Sequence, residues 1–266
     1  MSNLSLRIIT ALLLVTGLGV VLFSLPGWAA EVAFAVVAAL AAWEWAGLMR
    51  QGKAARVMYA FVLLLSCWQL RIGVPQLMPG LLIIAVMFWI FVVPCWLWRK
   101  WTLAGNDFFG YLIGLLVILP TWAAMLLLHA ASPWLLLAAM ALVWVADIAA
   151  YFAGRTWGRH KLAPAISPGK TWEGVAGAML GVLLYGGILW FCMPSADRPA
   201  VLWLVLALPL LTAISICGDL FESLLKRQAG VKDSSGLLPG HGGILDRIDS
   251  LTSTLPLAAL MLHFSR

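Results

Sequence analysis

The side chains able to do chemistry fall into a few tight runs of this 266-residue chain. Gly218-Asp219-Leu220-Phe221-Glu222-Ser223 places two carboxylates three residues apart, with Lys226 and Arg227 one turn further on. Lys232 and Asp233 follow, then Pro239-Gly240-His241-Gly242-Gly243, then Asp246-Arg247-Ile248-Asp249. On a helix, residues three apart share a face, so Asp219 with Glu222 and Asp246 with Asp249 make two acidic pairs. Oxygen-only ligands beside several cations suit Mg²⁺ holding a polyphosphate. Zinc asks for His and Cys clusters, which the sequence lacks. Glycines around His241 let the backbone approach a ligand closely. A merely solvated loop has no need of Gly-His-Gly-Gly between acid pairs.

Two other places carry chemistry. Asp147 interrupts the apolar run that leads up to Ala146. A carboxylate within a membrane helix costs about 2.5–3.5 kcal/mol on insertion scales, so it usually faces a cavity or a partner. The plainer alternative is a helix-end Asp paired with Arg155 or Arg159. The run Ser167-Pro168-Gly169-Lys170-Thr171-Trp172-Glu173 contains Gly-Lys-Thr, but a P-loop needs Gly five residues before Gly169, where Pro164 stands. Ser167, Lys170 and Thr171 precede a helix expected to start near Trp172. Amides at a helix N-terminus together with a lysine attract phosphate, while an ordinary Ser/Thr cap accounts for the same residues equally well. The chemistry indicated is phosphoryl or nucleotidyl transfer. Lys170, Lys226, Arg227, Lys232 and Arg247, with metal, offset a polyphosphate of about four negative charges.

The elements that must position these residues are membrane helices. Hydrophobic residues make up 63% of the chain and charged residues 11%, against about 25% charged in soluble domains. In lipid every backbone polar group needs an internal partner, and long apolar runs favour helices over barrel strands. Runs long enough to span cover 8–25, 28–48, 56–72, 81–98, 109–128, 134–153, 174–193, 200–217 and, shorter, 250–264. The expectation is an all-α polytopic protein of about nine transmembrane helices. It forms one membrane domain over 1–266, with N-terminal helices in 1–133 and catalytic helices and cytoplasmic loops in 134–266. Arg7, an apolar stretch and Gly27-Trp28-Ala29-Ala30 have the outline of a signal peptide. The many apolar runs that follow favour a first span instead.

With the N-terminus inside, all of the 17 Lys and Arg except Arg71, Arg198 and Arg266 fall on the inner side. That bias sets the orientation and puts the long loops 154–173 and 218–249 in the cytoplasm. The net charge of +6 sits in short loops between apolar runs, so it does not indicate nucleic-acid binding. Cys67, Cys95, Cys192 and Cys217 lie in apolar stretches with no CxxC among them, and are expected to be small buried hydrophobes.

The run from Ser223 through Lys226-Arg227, Lys232-Asp233 and Pro239-Gly-His241-Gly-Gly to Asp246-Arg247-Ile-Asp249 resembles the signature of the phosphatidate cytidylyltransferase (CDP-diacylglycerol synthase) family. Ser-Pro-Gly-Lys-Thr-Trp-Glu-Gly at 167–174, Gly-Asp-Leu-Phe-Glu-Ser at 218–223 and Ala-Trp-Glu-Trp at 42–45 are also similar to it. Ile148 departs from the family, where a small hydroxyl residue often follows the aspartate. The resemblance implies transfer of CMP from CTP to phosphatidate with release of pyrophosphate. It also implies Mg²⁺, with or without a second cation, and a homodimer in the inner membrane whose active site faces the cytoplasm. It implies Asp219, Asp246 and Asp147 as metal ligands. Asp219, Asp246, Lys226 and Arg247 are then catalytic, and Ser167, Lys170, Thr171, Arg227, Lys232, His241 and Asp249 bind substrate. The rivals are a CTP-dependent kinase of a lipid alcohol, which releases CDP, and a transporter of a phosphorylated metabolite. The transporter expects midplane sites and inverted repeats, and no repeat is apparent.

Overall fold

A computed structural model describes residues 3–103, 106–195 and 198–264; Arg266, counted above on the outer side, lies outside them. Each expected apolar run is helical. The helices are α1 (Asn3–Phe23), α2 (Gly27–Leu48), α3 (Lys53–Trp68), α4 (Met78–Met87), α5 (Val93–Arg99), α6 (Asp107–Ala131), α7 (Pro133–Trp157), α8 (Trp172–Cys192), α9 (Val201–Ala229) and α10 (Leu245–Phe264). The helices α4 and α5 form one rod, joined by a π-helical turn over Phe88–Val92. Pro94 has no N–H to offer the preceding turn, and the widened turn accommodates that loss.

Among the described residues seven helices are long and apolar enough to cross a membrane. The protein is therefore a nearly all-helical polytopic membrane protein. The helices α1 and α10 fall outside those seven for different reasons. In α1 the apolar stretch, Arg7–Phe23, is short. In α10 the residues Ser250, Thr252, Ser253 and Thr254 lower the hydropathy, yet 250–257 is an unbroken buried run. Three of the hydroxyls are satisfied inside the protein: Thr252 Oγ1 donates to the Asp249 carbonyl at 2.6 Å, Ser253 Oγ to that of Ile214 at 2.9 Å and Thr254 Oγ1 to that of Ser250 at 2.8 Å. A helix enclosed by α9, α6 and α4 does not need the apolar surface that lipid demands.

Small residues let the helices meet. A Cβ at Gly177 would collide with the Ala153 methyl and lie 3.0 Å from the Ala149 carbonyl, and one at Gly181 would press on Ala149. With no hydrophobic gain between helices in lipid, such backbone approach supplies the packing energy. Gly218 plays the same part between α9 and α10, where a Cβ would run into Ser253.

Three expectations are corrected. The loop 154–173 is not irregular. The helix α7 continues to Trp157, and an antiparallel hairpin follows, β1 (Lys161–Ala163) and β2 (Ser167–Thr171), with Lys161 opposite Thr171. Pro164 lies in its turn and Pro168 on a two-stranded ribbon, where an unpaired edge tolerates it. Its base is closed by the Trp172 amide on the His160 carbonyl at 2.9 Å and by His160 Nδ1 against Glu173 Oε1 at 2.6 Å. Second, α9 does not end at 217; it runs three turns further and stops at Gly230, whose φ of 77° suits glycine. Third, Cys95 and Cys192 are exposed, with only Cys67 fully buried. The outer surface of a membrane bundle faces hydrocarbon, so an apolar thiol needs no interior site.

The connections 49–52 and 230–244 and the segment 100–103 meet at one end of the bundle. Arg50 donates to the carbonyls of Gln228 and Ala229 at 3.3 Å, and Gln228 Nε2 donates to that of Trp101 at 2.9 Å. Thr10 Oγ1, on α1, donates to the Pro239 carbonyl at 3.1 Å.

Gly177→Val tests the packing of α7 on α8. It is expected to destabilise the detergent-solubilised protein by about 1–3 kcal/mol, read as an earlier thermal unfolding transition. An unchanged transition would contradict the close approach.

Candidate active site

Where α7, β2, the start of α8 and α9 come together they enclose a cavity of about 430 Å³. Asp147 and Tyr151 reach it from α7, Ser167 and Lys170 from β2, and Asp219 from α9, while Ala146, Ala150, Val175 and Ala178 form an apolar wall. Lys170 Nζ lies 2.5 Å from Asp219 Oδ2, and Ser223 Oγ donates to Asp219 Oδ1 at 3.2 Å. Asp147 is exposed here and lies within electrostatic range of Asp219 and Lys170. Thr171 is buried, and its Oγ1 accepts the Gly174 amide at 3.1 Å, so it caps α8. The cap alternative at 167–171 thus holds for Thr171, while Ser167 and Lys170 line the cavity. Arg155, absent from the sequence-based set, lines the cavity too and donates to Tyr151 Oη at 2.5 Å.

A second cluster adjoins the first. The extension of α9 puts Glu222 and Lys226 on one face, where Lys226 Nζ lies 3.0 Å from Glu222 Oε1 and 2.6 Å from Asp246 Oδ1. Asp246 Oδ2 accepts from the Ser234 amide at 2.8 Å, Ser234 Oγ at 2.9 Å and the Gly243 amide at 2.8 Å. Asp246 opens α10 ahead of the run 250–264. Burial opposes its ionisation, but the Lys226 ammonium and the amides of Gly243 and Ser234 outweigh that and hold its carboxyl below the usual range. The glycines beside it follow from space: Gly242 has φ of 79° and a Cβ there would lie 2.7 Å from Asp246 Oδ2. Asp249, one turn along α10, is within electrostatic range of Asp219, Lys226 and Asp147, so the clusters are continuous.

The residue that sequence reasoning left without a role is Glu44. It lies on α2 with 0% exposure and receives the loop on both oxygens. Oε1 accepts from Ser235 Oγ at 2.6 Å and the Ile244 amide at 3.0 Å; Oε2 accepts from Ser234 Oγ at 3.0 Å and the Leu245 amide at 2.7 Å. The signal was present in Ala-Trp-Glu-Trp at 42–45, a carboxylate inside an apolar run, the same criterion that singled out Asp147.

The remaining predicted residues are less engaged. Arg227, Lys232 and Arg247 are exposed. His241 is half-buried; its amide donates to the Leu238 carbonyl at 2.8 Å, and its Nδ1 is buried without a hydrogen-bond partner among the described residues. Among the described residues no group of three or more Asp, Glu, His or Cys is gathered as a metal cluster. Asp147, Asp219 and Asp249 nevertheless offer the oxygen donors a hard cation takes. Asp246 has both oxygens engaged by the loop and Lys226.

Fold and site define a polytopic helical membrane protein with acids and lysines gathered in a half-apolar cavity. The family model described as the cytidylyltransferase family matches residues 5–265, and the chain belongs to that family. It is 40% identical over 267 residues to the phosphatidate cytidylyltransferase of Pseudomonas aeruginosa, covering 96% of each chain. It is 48% identical over 133 residues to the enzyme of that name from Haemophilus influenzae, covering 49% of this chain and 46% of the relative. It is 50% identical over 121 residues to that of Brucella suis, covering 45% and 43%.

Asp246→Asn is expected to loosen the loop locally, because an amide NH₂ would face donors. Leaving buried donors unsatisfied costs about 1–3 kcal/mol each. Limited proteolysis should then cut within 231–244 faster than in the parent. Equal cutting rates would contradict the role of Asp246 in tying down the loop.

Proposed function

We propose that this chain transfers the cytidylyl group of CTP to phosphatidate, giving CDP-diacylglycerol and pyrophosphate, in the inner membrane with its cavity facing the cytoplasm. Membership of the family and the names of the relatives support the reaction. The observation that carries the site is the cavity itself, where Lys170, Asp219 and Asp147 meet beside an apolar wall. A nucleotide polyphosphate and a lipid phosphate need such a boundary between charge and hydrocarbon. The cytoplasmic orientation is supported by the bias of Lys and Arg to the inner loops.

The chemistry needs position and charge neutralisation more than covalent help. A phosphate oxygen of phosphatidate forms a bond to the α-phosphorus of CTP. The bond from that phosphorus to the bridging oxygen breaks, and pyrophosphate leaves with the electron pair. The attacking phosphate is already anionic, so no base is required. Lys170 holds phosphate oxygens from inside the cavity and Lys226 from the adjoining cluster, and the exposed Arg227, Lys232 and Arg247 attract the triphosphate. Arg155 and Tyr151, beside the apolar wall, suit the lipid phosphate. Asp219 and Asp147, with Asp249 in reach, would hold Mg²⁺, with or without a second cation, and Asp246 would join them while keeping its contact with Lys226. Bound there, Mg²⁺ supplies neutralisation of charge on the polyphosphate. The resemblance also supports a homodimer.

Purified protein given phosphatidate, labelled CTP and Mg²⁺ is expected to form lipid-bound CMP and pyrophosphate. Release of CDP with a phosphorylated lipid alcohol would instead support a kinase. Asp219→Asn is expected to lower turnover at least about 100-fold, chelation of Mg²⁺ to abolish it, and Lys53→Ala, on the exposed start of α3, to leave it within about twofold. Near-normal turnover in Asp219→Asn would refute the site.

A further inference from the structure

The N-terminal helices contribute to the site through one buried carboxylate. Glu44 sits in the last turns of α2, buried among Ala41, Ala42, Trp45 and Ala46, all nearly without exposure. An ionised carboxylate there is tolerable only if donors surround it. Among the described residues, its donors all come from the connection between α9 and α10 and the first residue of α10: the hydroxyls of Ser234 and Ser235 and the amides of Ile244 and Leu245. The last two open α10, so Glu44 also caps that helix from another element, where the positive end of the helix favours an anion. Ser234 bridges onward, since its Oγ lies 3.0 Å from Glu44 Oε2 and 2.9 Å from Asp246 Oδ2. Gly243 fills the remaining space: a Cβ there would strike Ser234 Oγ and lie 2.5 Å from both Glu44 oxygens.

We propose that Glu44 is a positioning residue for the cytidylyl transfer, holding the 234–245 connection so that Asp246 keeps Lys226 aimed at the triphosphate. This rests on the reaction proposed above and adds to it a residue from outside the catalytic half. Its reach is specific. Glu44 itself meets the loop rather than the cavity, and its effect travels through Ser234 and Asp246 to Lys226, one turn beyond Glu222 on α9. Charge alone would not do this; the two-oxygen geometry matters, because each oxygen takes one hydroxyl and one amide.

The test compares Glu44→Gln, Ser234→Ala, Ser235→Ala and their combinations in the full chain. Glutamine keeps the volume but turns an NH₂ toward two donors. Glu44→Gln is expected to raise the KM for CTP and lower kcat, with kcat/KM down about 10- to 100-fold. The KM for phosphatidate should change far less. Hydrogen exchange should quicken at Ile244 and Leu245 and not along the rest of α2. Because the partners act as one unit, the Glu44→Gln/Ser234→Ala pair should fall well short of the product of the single effects. A uniform loss of protection across the bundle, with the KM for CTP unchanged, would overturn the proposal and mark Glu44 as a packing residue. Parent-like exchange at 244 and 245 would overturn it as well. Exchange is read without turnover. Loosening at 244 and 245 in a protein that forms no lipid-bound CMP from the start would therefore sink the reaction while leaving the anchoring intact. Should Glu44→Gln fail to insert, Gly243→Ala reads the same anchor from the loop side, with the same expected and overturning patterns.

Discussion

A carboxylate surrounded by apolar helices must be met by cations or hydrogen-bond donors, and that requirement organises the functional end of this molecule. Glu44, Glu222 and Asp246 lie in or beside the membrane-spanning bundle; Glu44 and Asp246 have partners from other elements, and Glu222 pairs with Lys226 one turn further along α9. The partners are few, because the chain is only 11% charged. So the connection 230–244, the first turn of α10 and the last turns of α9 are drawn onto the same acids. Relieving those buried charges is what folds the loop, and the folded loop in turn surrounds Lys226.

The cavity answers a second requirement. A lipid phosphate cannot leave its acyl chains, and a nucleotide triphosphate cannot enter hydrocarbon, so a catalyst of their union needs one space with two kinds of wall. The apolar wall of α7 and α8 is built from alanines and valine, while the charged wall comes from β2 and α9. The hairpin matters here. It carries Lys170 to Asp219 on α9. Thr171 then starts α8 at the rim of the cavity, which directs amide groups toward the place where phosphate is expected.

The division of labour between the halves of the chain is less strict than their composition suggests. The first half carries little of the charged set, yet Glu44 anchors the 234–245 connection, Arg50 caps the end of α9, and Thr10 touches Pro239. Each contact ends on backbone or on a hydroxyl of the second half. The N-terminal helices thus set where the loop sits rather than what it does chemically.

Much of this was legible from residue order alone. Nine apolar runs stand where helices form, and the bias of Lys and Arg told which loops belong together. The motif from Ser223 to Asp249 carried the family. These are properties of spacing and hydropathy, and they act within a segment or across a single helix. What only the tertiary structure decided are pairings between segments far apart. Lys170 meets Asp219, Lys226 chooses Asp246, Thr171 is spent on a cap, and Glu44 becomes the hub of the loop. The polar α10 could be central because its neighbours, not its own composition, keep it from lipid. A buried charge is visible in a sequence, but the donor that satisfies it arrives through space, and sequence spacing does not record that distance.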